Sequence, residues 1–182
     1  MKGIIFNLAE EVVVRAHGED VWDEILDGAG VSGSYTSLGS YPDGDLFAIV
    51  ASAAALLSTD SGSVLRSVGE GAMPLLAQRY PHFFAGHAEA CSFVLTLNDI
   101  IHPEVRKLYP GAAVPTFSYE RHGQDILSME YTSDRRLCLL AEGFVTGAAR
   151  HYGQQVTVVQ PTCVLRGDSS CVLRCEFRDA SA

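Results

Sequence analysis

The spacing of apolar residues changes near residue 110, and this change constrains the fold more than any other feature of the sequence. Before it, intervals of three and four separate the apolar residues Ile4, Ile5, Leu8, Val12 and Ala16, as on one face of a helix. Similar patterns occur at about 45–58, 61–78 and 88–109. After Pro110 and Gly111, apolar and polar residues alternate, which is typical of half-buried strands.

The second part of the chain predicts two pairs of strands around one helix. Alternating segments at 116–120 and 126–131 flank turn residues at 122–125 and predict a hairpin. A helical pattern covers 136–152. Strand patterns at 156–165 and 171–177 then flank a short loop at 166–170. The sequence therefore predicts an α+β fold, with a helical half followed by four antiparallel strands.

Composition and charge narrow the class of protein. Hydrophobic residues make up 47% of the 182 residues, enough for the core of one domain. The formal net charge of −9 makes nucleic acids and anionic membranes poor partners. The apolar run at 47–57 is too short to span a bilayer, and Glu10, Glu11 and Arg15 interrupt the start where a signal peptide is apolar. We therefore expect a cytoplasmic protein.

His102 stands between two isoleucines and a proline. An imidazole on an apolar face requires a hydrogen-bond partner, a proton partner or a metal. Pro103 disfavours helical geometry at His102, so we expect the local helix to be kinked or to restart here. The residue is then either a structural histidine or a ligand directed toward a cavity.

Tyr131, Ser133 and Arg135 form a candidate anion site. On an extended segment, residues at i, i+2 and i+4 share one face and span about 13 Å. Two hydroxyls and a guanidinium can hold carboxylates or phosphates, although Arg135 could instead pair with an acidic residue or cap a helix. Together with His102, the set fits an iron porphyrin, with the imidazole on the iron and the other three residues on the propionates.

Cys138, Cys163, Cys171 and Cys175 form a second candidate site. Four thiolates suit zinc, but the spacing is not that of a zinc finger or ribbon. A tight hairpin loop around Gly167 would place Cys163 opposite Cys171. Cys171 and Cys175 would be about 13 Å apart on a regular strand, so both could bind one zinc only if the chain bends between them. Reduced core thiols and a redox-active disulfide are the alternatives.

The chain resembles the haem nitric oxide/oxygen-binding (H-NOX) family, which includes the sensor domain of soluble guanylate cyclase. The matching segments are MKGIIFNLAEEVVVRAHGEDVWDEIL at 1–26, GSYTSLGSYPD at 33–43, RYPHFF at 79–84, IIHPEVRKLYPGAAVPTF at 100–117, and Tyr-x-Ser-x-Arg at 131–135. The resemblance implies a single domain over 1–182, with a helical distal lobe at about 1–60 and a proximal lobe at about 61–182. Haem b would lie between the two lobes.

The resemblance also implies roles for individual residues. His102 would be the proximal iron ligand, and Tyr131, Ser133 and Arg135 would hold the propionates. Pro115 would press on the porphyrin, and three side chains would line its distal face. These are Ile5, Leu140 and Phe144.

The distal side of the haem is expected to select the gas. Oxygen-binding members of the family place a tyrosine where this chain has Leu140, and a polar supporting residue where it has Pro74. We therefore expect binding of nitric oxide and carbon monoxide and exclusion of dioxygen. The resemblance implies a sensor rather than an enzyme, signalling to a separate protein such as a histidine kinase or a cyclic-dinucleotide enzyme.

Some bacterial members of the family carry a four-cysteine zinc site in this region, which favours zinc among the alternatives for the cysteines. A different overall function remains open at this point. The protein could be a cysteine- or zinc-based redox sensor in which haem acts as a modulator.

Overall fold

The structure, a computed structural model, describes residues 1–180 as an α+β fold. The helices and strands are α1 (Gly3–His17), α2 (Glu19–Ala29), α3 (Asp43–Leu56), α4 (Ser61–Arg79), α5 (Pro81–Phe84), α6 (Ala90–Val94), α7 (His102–Leu108), β1 (Thr116–His122), β2 (Ile126–Thr132), α8 (Cys138–His151), β3 (Gln154–Val159) and β4 (Cys171–Asp179). The strands form one antiparallel sheet in the order β1-β2-β4-β3. The predicted fold class is confirmed.

The sheet buries one face, as its alternating sequence requires. On β2, Leu127 and Met129 are buried, and on β4, Leu173 and Phe177 are buried. The first predicted hairpin is confirmed, with Gly123 in the left-handed region at its turn (φ 77°).

The predicted strand over 156–165 is wrong in its second half. β3 ends at Val159, and the chain returns to β4 through a 3₁₀ turn at Val164–Arg166. Pro161 explains the early end, because proline has no N–H for a ladder hydrogen bond. Cys163 therefore lies outside the sheet, rather than on a strand opposite Cys171.

The helix predicted over 88–109 is also interrupted. A π-helical turn at Leu97–Ile101 separates α6 from α7, and the Ile101 N–H donates to the Thr96 carbonyl at 3.1 Å. A helix restarts at His102, as the position of Pro103 suggested. His102 itself is helical (φ −65°, ψ −37°), so the expectation that Pro103 would disfavour this geometry is wrong. π-Helical turns often occur at functional sites.

Two large hydrophobic clusters and a small one around Leu8, Ala72 and Leu75 fill the interior. The first joins α1, α2, α3 and the first half of α4 around Phe6 and Ile25. The second packs the sheet against α6 and α8. Both α4 and α8 contribute to both clusters, with Leu140 in the first and Met73 and Val145 in the second. The lobe boundary near residue 60 stays a prediction.

α4 and α8 cross with their backbones almost in contact. A Cβ atom on Gly143 would lie 2.2 Å from the Arg66 carbonyl oxygen, and one on Gly69 would lie 2.4 Å from the Leu140 carbonyl oxygen. Only glycine fits at such distances. Beside the crossing, Arg66 Nε donates to Glu142 Oε1 at 2.8 Å. The crossing therefore sets where Leu140 lies relative to α4.

No single helix among residues 1–180 is long and apolar enough to cross a membrane. Taken together, α3 and α4 reach the required length and composition, although they are bent by 107° at the break between them.

Candidate functional site

A cavity of about 400 Å³ lies between α1, the two crossing helices, α7 and the sheet. A volume of this size is in the range of cofactor and ligand pockets. Every residue predicted for the haem site lines it, namely Ile5, His102, Pro115, Tyr131, Ser133, Arg135, Leu140 and Phe144. Pro74 is different, because it is exposed and does not line the cavity. Met73 and Leu76 form the α4 wall instead.

One ring nitrogen of His102 has no hydrogen-bond partner. This Nδ1 atom is buried and unpaired in the structure. Burial and the nearby charge of Arg106 lower the pKa of His102 to about 4, although the Pro115 carbonyl opposes the shift. The ring is therefore neutral at pH 7 and keeps a lone pair, as a metal ligand requires. It lies 6.0 Å from the Phe117 ring, centroid to centroid.

Asn98 holds the π-helical turn against the sheet, and sequence reasoning missed it. Its Nδ2 donates to the Phe117 carbonyl at 2.5 Å, and the Phe117 N–H donates to its Oδ1 at 3.1 Å. Both bonds attach the segment before His102 to β1. The sequence gives no sign of this role, because a polar residue in a helical pattern is usually a solvated one.

The anion site is built differently from the sequence prediction. β2 ends at Thr132, so Ser133 and Arg135 lie in the following turn, and the extended spacing is wrong beyond the strand. Tyr131 is buried, and its hydroxyl oxygen accepts from the Leu137 N–H at 3.1 Å. Burial raises the pKa of Tyr131, so the group stays a hydroxyl that can donate to a carboxylate.

Arg135 is also paired with an acid, which was the alternative foreseen for it. Its Nε donates to Asp43 Oδ2 at 2.8 Å, and its Nη1 donates to the Ala113 carbonyl at 2.7 Å. Asp43 also accepts from the Met1 ammonium at 2.6 Å. Burial opposes the shift, but bonds from the ammonium and Arg135 lower the pKa of Asp43 below its usual value. No sequence signal connects Asp43 with Arg135, because 92 residues separate them.

Two tyrosines at the cavity wall share one hydrogen bond. The Tyr80 and Tyr109 hydroxyls are hydrogen-bonded to one another, and both residues line the cavity. Burial and this bond raise the pKa of Tyr109. The pair was not foreseen, because neither residue belongs to a recognisable spacing.

Three of the four predicted cysteine ligands come together, and the fourth does not. The Sγ of Cys163 lies 3.5 Å from that of Cys138 and 3.8 Å from that of Cys171. Cys175 Sγ instead lies 4.0 Å from Met129 Sδ. The strand between Cys171 and Cys175 is regularly paired with β2, so the bend that a shared zinc would need is absent from it.

The three clustered thiols are not equivalent. All three are buried. Burial raises the pKa of Cys138, and its thiol neighbours raise it further. Burial also acts to raise the pKa of Cys163, but the backbone N–H of Leu165 and the neighbouring thiols outweigh it and lower that pKa. Cys163 therefore ionises more readily than Cys138.

Comparisons with known proteins agree with this geometry. The sequence model of the haem-NO-binding family matches residues 2–160. An H-NOX protein from S. oneidensis in the Fe(II)NO state is 34% identical, with a TM-score of 0.90, covering 98% of this chain and 100% of that one. The H-NOX domain from Shewanella oneidensis in the Fe(II)CO state is also 34% identical, with a TM-score of 0.87 and coverage of 98% and 99%.

A more distant structure shares the fold. An oxygen-binding H-NOX domain related to soluble guanylate cyclases, solved as its oxygen complex, is 23% identical with a TM-score of 0.81, covering 98% of this chain and 96% of that one. No curated protein matches the sequence significantly.

The pair formed by Asp43 and Arg135 predicts a pH-dependent loss of stability. The pKa of Asp43 is lowered in the folded chain, so its stabilisation is present above the unfolded value of 3.8 and is lost as the pH falls through the folded value. We expect Asp43→Asn to lower the free energy of unfolding by about 1 kcal/mol at pH 7, since solvent screens a partly exposed pair. The difference should be smaller at pH 3 than at pH 7 in urea titrations.

Asp23→Asn is the matched control, because Asp23 is exposed on α2. It should leave the unfolding midpoint unchanged at both pH values. Equal midpoints for Asp43→Asn and the unsubstituted protein at pH 7 would show that the ion pair contributes nothing.

Proposed function

We propose a gas-sensing function for this chain, which belongs to the haem-NO-binding (H-NOX) family. As a haem-based sensor, it would bind nitric oxide and carbon monoxide and exclude dioxygen. It would signal to a separate protein. One observation carries the proposal. A neutral imidazole, from His102, lines the same cavity as two hydroxyls and a guanidinium.

The residues present fit haem b. His102 offers one nitrogen ligand, and Tyr131, Ser133 and Arg135 offer donors for two propionates. The sequence has no Cys-x-x-Cys-His segment, so covalent attachment of the c type is not expected. Ferrous haem held in this way would supply the open coordination position at which nitric oxide or carbon monoxide binds.

The side chains around Leu140 support selection against dioxygen. Bound dioxygen is stabilised by a hydrogen-bond donor, whereas nitric oxide and carbon monoxide need such help far less. Ile5, Leu140 and Phe144 offer no donor. The Tyr80 and Tyr109 hydroxyls line the same cavity, and the bond between them uses one of their two protons. The proposed selection therefore rests on the side chains around Leu140.

The proposal assigns no catalysis to this domain. His102 is neutral and would be taken up by iron, and the other polar groups bind carboxylates rather than move protons. The proposed partner is a histidine kinase or a cyclic-dinucleotide enzyme. The partner stays a prediction from the resemblance, and the cytoplasmic location stays a prediction from the sequence.

Removing the imidazole tests the haem site. We expect His102→Ala, reconstituted with haem and reduced, to lose the Soret spectrum of the unsubstituted protein, because no other nitrogen replaces the ligand. His122→Ala is the control, since His122 is exposed on β1. Absorbance titrations with haem measure both variants. An unchanged spectrum and haem affinity in His102→Ala would refute the assignment of His102.

Adding a donor tests gas selection. The unsubstituted ferrous protein should form no stable oxygen complex in air. Leu140→Tyr should shift it toward oxygen binding, because a phenol would stand in the apolar wall, whereas Leu140→Phe adds an aromatic ring without the hydroxyl. Visible spectra recorded under air compare the three proteins. A persistent oxygen complex in the unsubstituted protein would contradict the proposed selectivity.

The cysteine cluster supports a second proposal, a zinc site on Cys138, Cys163 and Cys171. Sulfur–zinc bonds of about 2.3 Å in tetrahedral geometry separate two sulfurs by roughly 3.8 Å, close to the observed 3.5 and 3.8 Å. The structure leaves Cys175 outside the set, so a fourth ligand would come from elsewhere. The redox-sensor alternative rests on the same three thiols, with the readily ionised Cys163 as the reactive one.

Metal analysis distinguishes a zinc site from a redox-active cysteine cluster. We expect zinc in the purified protein, a loss of zinc in Cys163→Ser and an unchanged zinc content in the control Cys175→Ser. Equal loss in both variants would refute the three-cysteine site. If the protein holds no zinc and an oxidant links two of the three cysteines without changing haem or gas binding, the redox alternative is supported instead.

A further inference from the structure

The outer edge of β1 holds the segment that precedes His102. The strand pairs with β2 on one side, so its other side is an edge of the sheet. On that edge, Phe117 presents one N–H and one carbonyl, and the Asn98 side chain bonds to both, at 3.1 and 2.5 Å. A single amide therefore pairs with the backbone of Phe117 as a neighbouring strand would.

Asn98 and His102 both face Phe117. They lie four residues apart, in the π-helical turn and at the start of α7, and residues at this spacing share one side of a helix. The His102 ring lies 6.0 Å from the Phe117 ring, centroid to centroid, and 28° from parallel to it. The two amide bonds therefore fix the rotation of this segment relative to β1 and, with it, the direction of the imidazole.

Two other attachments of this stretch lie farther from the imidazole. Tyr119, on β1, donates its hydroxyl to the Val94 carbonyl of α6 at 3.0 Å. Tyr109, just beyond α7, is hydrogen-bonded to Tyr80. Val94 and Tyr109 are eight and seven residues from His102 along the chain, whereas the Asn98 amide is one helical turn away.

Asn98 is not placed to touch a group bound in the main cavity of about 400 Å³. It does not line this cavity, whereas His102 and Phe117 do. Any effect of the amide on a bound group must therefore pass through the position of these two residues.

We propose that Asn98 is the positioning residue of the proposed iron ligand. It holds the π-helical turn on β1, so that the His102 imidazole keeps one direction in the main cavity. The inference rests on the proposed function, since it concerns how His102 meets the haem. Metal-bound histidines are commonly oriented by hydrogen bonds behind the ligand, and losing them weakens metal binding. Here the bonds hold the backbone segment that carries the ligand.

Substituting the amide tests both the attachment and its effect on the ligand. Asn98→Leu keeps a similar side-chain volume and removes both hydrogen bonds. In NMR spectra of the full chain, the Phe117 amide should exchange with solvent roughly tenfold faster, because its acceptor is lost. In resonance Raman spectra of the ferrous haem-loaded protein, the iron–histidine stretching band should broaden and shift to lower frequency. The imidazole would then adopt several directions, with a weaker average bond.

Two further variants make the test specific to Asn98. Tyr119→Phe is the matched control, because it removes one hydrogen bond between the same strand and α6, and Tyr119 does not line the main cavity. The band should keep its position and width in this variant. Asn98→Asp keeps the acceptor for the Phe117 N–H and loses the donor to the Phe117 carbonyl. It should shift the band less than Asn98→Leu, and it replaces that variant should Asn98→Leu fail to fold.

The outcomes separate this inference from the haem proposal. Unchanged exchange of the Phe117 amide in Asn98→Leu overturns the attachment, and an unchanged Raman band overturns the positioning role even if haem binds normally. An equal shift in Tyr119→Phe overturns the role as well, because general loosening would then explain it. A shift to higher frequency would show that Asn98 strains the bond, which also contradicts the proposal. Failure of the unsubstituted protein to take up haem refutes the proposed function itself.

Discussion

The contact between α4 and α8 is the constraint on which the rest of the structure depends. Gly69, Gly143 and Gly147 let the two backbones approach to distances that exclude a methyl group. Both helices cross from one hydrophobic cluster to the other, so this contact sets the spacing between the clusters. Met73 on α4 and Leu140 on α8 both line the main cavity, so the same contact also places two of its walls.

The polar groups of that cavity are of two kinds. In the anion site, two residues already have hydrogen-bond partners within the chain. Tyr131 is bonded to Leu137, and Arg135 is bonded to Asp43. His102 Nδ1 is not satisfied, and an unpaired buried polar atom costs about 1–3 kcal/mol. Asn98 holds the preceding turn on β1, which opposes a rearrangement that would bring the ring to another partner.

The sequence predicted the fold class correctly, and the residues predicted for the haem site all line the main cavity, but their local geometry was predicted poorly. Helical and alternating periodicities report which faces are buried, and these predictions held for α1, α3, α4, α8 and the first hairpin. The π-helical turn, the early end of β3 and the turn after Thr132 depend on tertiary contacts or on single prolines. The pairing of Asp43 with Arg135 could not be foreseen, because periodicity carries no information on contacts between distant charges.

The cysteines show the same contrast between a correct prediction of residue type and a poor prediction of geometry. Their number and residue type suggested a metal site, and three of them do meet. The assignment of Cys175 to the same set conflicted with the distance along a regular strand, and the structure keeps that strand regular. Strand geometry was therefore a better guide to the ligand set than the count of thiols.

The Arg135 guanidinium links the anion site to α3, because it donates to Asp43. A carboxylate bound at Arg135 would share the guanidinium donors with Asp43, the first residue of α3. The two carboxylates repel each other, so binding of one weakens the hold on the other, and the coupling is reciprocal. A displacement of α3 would therefore change the position of the Asp43 carboxylate beside Arg135. Such coupling can transmit a signal only if the bound group has a different affinity for the protein before and after α3 is displaced.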